Sequence, residues 1–166
     1  MKNFLLVFSI AIFLSFFNFI NYNISYCEEV TISKNDVLYN YLYEDVDSIS
    51  SRIYLLSKNI ISQNNSLDES KKQEFFKDIK HITNDISSLV FSIQNNYKQY
   101  ENDRDTLNEL YAMTVMLEEY RFALTQLESY IMAITPEDKY STLQSFFVVN
   151  TEANRKLNNA KAFIPK

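Results

Sequence analysis

Apolar residues recur along this chain at alternating spacings of three and four, in four separate stretches. In the first, Tyr39, Leu42, Val46, Ile49, Ile53, Leu56 and Ile60 form an unbroken heptad seam, the mark of a long helix. Tyr39, Tyr41 and Tyr43 alternate as a strand would, but over too few residues to compete. Residues 59–65 break the pattern, and Ser66-Leu67-Asp68-Glu69 then reads as a capping box, Ser66 accepting an amide and Glu69 bonding back. The second stretch carries Phe75, Ile79, Ile82, Ile86, Leu89 and Ile93, widened by Phe76, Val90 and Tyr97. A face wider than a strict seam implies contact with more than one neighbour.

Continuing that heptad would bury Asp103, so a turn is expected at Asn102-Asp103-Arg104-Asp105, with one bent helix as the alternative. The third stretch is Leu110, Met113, Leu117, Tyr120, Leu124, Leu127, Ile131 and Ile134. Thr135-Pro136-Glu137-Asp138 then opens a fourth helix: threonine as N-cap, proline at the first helical position, and two acids against the positive dipole end. Its seam is Leu143, Phe146, Asn150, Ala153, Leu157 and Ala160, and Pro165 ends it. Asn150 falls inside the seam, where a buried amide fixes register at some cost in stability. Short connections make successive helices antiparallel, so the expected fold is an all-α, up-down-up-down bundle of about four long helices over residues 36–164. A homodimer of long helical hairpins is the competing arrangement.

Composition supports this class. The 166 residues contain no glycine and two prolines, which disfavours tight hairpins, bulges and phosphate-cradling loops. AT-rich coding accounts for the same bias without selecting a fold. The formal net charge is −5. An acidic surface repels phosphate backbones and anionic headgroups, so no nucleic-acid partner is expected.

The first 27 residues are unlike the rest. Lys2 is followed by an apolar run over residues 4–17, the length of a signal-peptide core and short for a membrane span. Residues 1–27 therefore read as an export signal, followed by a short leader over 28–35, which places the protein outside the cytoplasm. Ser25, Tyr26 and Cys27 mark the processing boundary. Cleavage after Cys27 fits the small residues Ser25 and Cys27; lipidation of Cys27 wants a small residue in place of Tyr26; retention needs the run to extend through Phe19 and Ile20. Tyr26 favours cleavage over lipidation, and the membrane is touched only through this segment or such a lipid. Cys27 is the only cysteine, so no disulfide is available to the bundle.

Little in the sequence carries chemistry. His81, the only histidine, has Asp78 and Asp85 at helical spacing, but a di-iron bundle site needs a second histidine, and the seam leaves His81 near the outer face. Asp103-x-Asp105 resembles the start of a calcium loop, yet Leu107 and Asn108 stand where an oxygen ligand and a glycine are required. No catalytic residues, cofactor or metal are therefore assigned, and the expected function is non-enzymatic: an envelope or cell-surface adaptor or scaffold acting through protein contact. A carrier or chaperone-like binder of an apolar ligand or client is the alternative, with an enzyme less favoured. Tyr41, Tyr43, Phe122 and Tyr130 are the candidate interaction residues, because tyrosine combines apolar area with a hydroxyl that tolerates water.

Overall fold

A computed structural model describes residues 36–63 and 67–162. Four long helices make up the fold: α1, Asp36–Ser62; α2, Glu69–Asn96; α3, Arg104–Met132; and α4, Pro136–Ala162. Cross-helix pairs set their directions. Asp47 meets Lys161 and Ser50 meets Asn154, so α1 and α4 run antiparallel. Arg52 meets Asp85 across α1 and α2, while Ser87 meets Arg121 and Tyr97 meets Thr114 across α2 and α3. The bundle is up-down-up-down, as the short connections require.

Most seam positions pack as the spacing implies, except that Val90 is buried on α2 where Leu89 was expected, and Leu89, Leu143 and Ala160 are only partly buried. Leu42, Val46, Ile49, Ile53, Leu56 and Ile60 of α1 are buried, and so are Phe75, Ile79, Ile82, Ile86 and Ile93 of α2. On α3 the buried face is broader, because Met116, Ala123 and Tyr130 join Leu110, Met113, Leu117, Tyr120, Leu124, Leu127 and Ile131. This helix contacts all three others, and its most extensive contact is with α4. Ala123 and Ala153 come level on those two helices and are both fully buried, which lets the axes approach closely. Contact between α1 and α4 is the thinnest of the four neighbouring pairs.

Without glycine, the helices end by other means. No described residue adopts positive φ. The C-terminal end of α2 tightens into a 3-10 turn, Tyr97–Tyr100, held to α3 by a 2.8 Å hydrogen bond between the Tyr97 and Thr114 hydroxyls and by the Tyr111 ring at 4.6 Å. At Ala133 the chain leaves α3 by turning extended. Ile134 then lies in the turn, 93% exposed, and does not extend the α3 seam as the spacing predicted.

Polar residues open the helices. Asp103 caps α3, its carboxylate accepting from the Thr106 amide at 3.1 Å and the Thr106 hydroxyl at 2.6 Å, so the bent continuous helix is excluded. Thr135 caps α4 as expected, accepting from the Asp138 amide at 3.1 Å. For α2 the cap is Asp68, accepting from the Lys71 amide at 2.8 Å, two residues beyond the predicted Ser66. Ser66 itself lies outside the described residues. A carboxylate accepts more strongly than a hydroxyl and gains from the helix dipole, so the later cap wins.

Candidate functional site

The structure separates the candidate residues. Tyr41 is 65% exposed on α1 and Phe122 is 44% exposed on α3. Arg52 and Arg121 both reach the same stretch of α2, so Phe122 sits level with the middle of α1. Tyr41 is about 16 Å further along the bundle at 1.5 Å per residue, and on a different helix. These two side chains do not form one surface. Tyr43 and Tyr130 are buried and belong to the core, which corrects their assignment to an interaction surface. Tyr43 adds width to the α1 seam beside Leu42, and Tyr130 lies on the second buried stripe of α3 with Met116 and Ala123. Ser25, Tyr26 and Cys27 fall outside the described residues.

Neither sequence motif gathers a reactive centre. His81 is exposed, and the carboxylate of Asp85 is held by Arg52 at 2.6 Å. Asp103 serves as a helix cap. Among the described residues no group of three His, Cys, Asp or Glu side chains is placed to hold a metal ion, and no helix is long and apolar enough to cross a membrane.

Organised polar chemistry appears instead along the seam between α1 and α4. Asn154 Oδ1 accepts two hydroxyl hydrogen bonds, from Ser50 at 2.6 Å and from Tyr120 at 2.7 Å, joining α1, α3 and α4 at one atom. The register role expected of Asn150 therefore falls to Asn154, one turn later. Burial pushes the Tyr120 hydroxyl up to about 12, and the Asp47 and Glu119 charges add to that while the Ser50 hydroxyl opposes it. Lys156 and Glu119 form an ion pair across α3 and α4, and Lys161 reaches Asp47 at 2.5 Å. Burial nevertheless holds the Glu119 carboxyl above its ordinary range, against the pull of Lys156. Glu119 Oε2 is shielded from solvent and has no hydrogen-bond partner.

Beyond this network, towards the end where α1 stops and α4 starts, the same seam opens into a groove of about 360 Å³. Tyr54, Ser57, Lys58 and Ile61 line it from α1, and Phe146, Phe147 and Asn150 from α4. Tyr54 is 61% exposed and Phe147 49% exposed, so two aromatic side chains flank an open trough. Asn150 lines it with an Oδ1 that is out of water and has no donor. Leaving such an acceptor unpaired costs about 1–3 kcal/mol. Tyr140 and Val148 are exposed on the same outward stripe of α4, whose positions recur every three to four residues.

A second cleft lies between α1 and α2 and differs in character. Asp45, Ser48, Ser88 and Ser92 line it, and the Arg52–Asp85 pair closes across it. Arg52 and Asp85 neutralise each other there, and its apolar lining is limited to Ile49 and Leu89, with no aromatic side chain. The groove between α1 and α4 is the better candidate. In the sequence, Phe146-Phe147 held the available signal: when one of two adjacent aromatics enters a heptad seam, helix geometry turns the other about 100° away. Comparison of the chain with protein-family models, curated proteins and solved structures found no match.

Proposed function

We propose that this chain is an exported, non-enzymatic helical-bundle adaptor that docks a protein partner on the face formed by α1 and α4. Export rests on the charged start, the apolar run over residues 4–17 and the small residues before position 28. Docking rests on one observation: Tyr54 and Phe147 stand exposed on either side of an apolar groove at the thinnest seam of the bundle. Aromatic side chains at the centre of a surface are the usual energetic anchors of protein contacts. The trough is open, which suits a partner's side chains better than the enclosure a carried small molecule needs.

Intact mass of the protein from its native cells, with detergent phase partitioning, tests the export reading. A soluble product beginning at Glu28 is the expected result; an acylated Cys27 or a retained Met1 would change the tether, and an unprocessed cytoplasmic protein would refute export. The docking reading is tested by Tyr54→Ser with Phe147→Ser. That variant should keep its helical content and lose its protein partner, whereas bound lipid or haem in the native preparation would favour a carrier.

A further inference from the structure

The charge around the groove is opposite in sign to that of the chain. Of the residues that line it, Lys58 alone carries a charge. This is a local exception on a protein of formal net charge −5. Lys58 lines the groove, is exposed, and makes no ion pair with any described residue. On α4 beside it Tyr140, Phe147 and Val148 stand exposed over about 12 Å at 1.5 Å per residue, interrupted by Gln144, a length that accommodates about two turns of a second helix.

Resting on the docking reading above, we infer that the occupant of this groove is an acidic amphipathic helix from another protein. Its apolar side chain inserts between Tyr54 and Phe147, and a carboxylate one turn away meets Lys58. All four helices satisfy their own backbone groups, so the bundle offers no sheet edge to an extended peptide, and recognition has to run through side chains.

The test uses the full chain in its native cells. A photo-crosslinking phenylalanine analogue replaces Phe147, and in a control chain it replaces Phe91, which is on α2 and more exposed than Phe147. The adduct at position 147 should be a protein segment with apolar residues at helical spacing and flanking Asp or Glu, absent at position 91. A synthetic peptide of the crosslinked sequence should then bind about tenfold more weakly to Lys58→Glu than to the natural chain at low salt, with Lys58→Arg unchanged and the difference shrinking as salt rises. An adduct formed with a second copy of this chain, a basic peptide, or binding indifferent to Lys58→Glu yet lost in Tyr54→Ser would overturn the acidic-helix inference while leaving protein docking in place. Absence of any protein adduct at position 147, or equal adducts at position 91, would overturn both.

Discussion

Replacing Asn154 with alanine removes the acceptor on which α1 and α3 both converge. The Tyr120 side chain is fully buried, so its hydroxyl loses its carbonyl acceptor out of reach of water, with only the Ser50 hydroxyl beside it. An orphaned buried donor costs about 1–3 kcal/mol, and the half-buried Ser50 adds less because solvent can reach it. The expected loss is about 3 kcal/mol, or roughly 10 °C in Tm for a domain of this size. Urea unfolding followed by circular dichroism measures it. The sharper assay is a double-mutant cycle: Tyr120→Phe should destabilise the natural chain but cost almost nothing in the Asn154→Ala background, because the bond it removes has already gone. Additive losses, or an Asn154→Ala change within about 0.5 kcal/mol of the natural protein, would refute the claim that one amide sets the register of three helices.

Three further changes probe separate parts of the structure. Ala153→Leu should cost at least about 2 kcal/mol through overpacking, since Ala153 is buried where α3 and α4 meet most extensively; thermal unfolding reads it, and a neutral result would mean the axes have room. Ile131→Ala should cost about 3 kcal/mol and Ile134→Ala almost none, a contrast that checks where the α3 seam ends. Glu119 tests the pH dependence: its carboxyl titrates above the ordinary 4.5 when folded, so the folded state takes up the proton first, and the charged form costs stability that is relieved as pH falls through the folded value. Any stability advantage of Glu119→Gln over the natural chain should therefore shrink as pH falls from neutrality towards the ordinary carboxylate range, and a difference that grows on acidification would contradict the burial assigned to this group.

The seams were legible in the sequence because each buried position repeats a helical period, and a single run such as Leu42 to Ile60 already names the inward face of α1. Caps were legible where the residue has one use, as with Thr135 before Pro136. Between Ser66 and Asp68 the sequence offers two competent caps, and the carboxylate, the stronger acceptor and the one favoured by the helix dipole, takes the position. Ile134 continued the period arithmetically, but the helix had already turned extended at Ala133. Tyr43 and Tyr130 were misplaced for a related reason: a seam defines one stripe, whereas a helix with several neighbours buries two, and how many neighbours it has is a property of the bundle. The groove was least legible, because Tyr54, Lys58, Phe147 and Asn150 come together only through the antiparallel register of two helices about 90 residues apart, a register fixed by Asn154, which falls outside the seam.

Recovery of one protein partner by the full-length chain from its native cells tests the docking face most directly. Tyr54→Ser with Phe147→Ser should reduce that recovery at least about 30-fold, the effect of losing about 2 kcal/mol at an aromatic anchor, while Phe91→Ser leaves it unchanged and all chains keep the same helical content. Equal recovery by the natural chain and the groove variant, or loss in Phe91→Ser instead, would contradict the assignment of the docking face to α1 and α4.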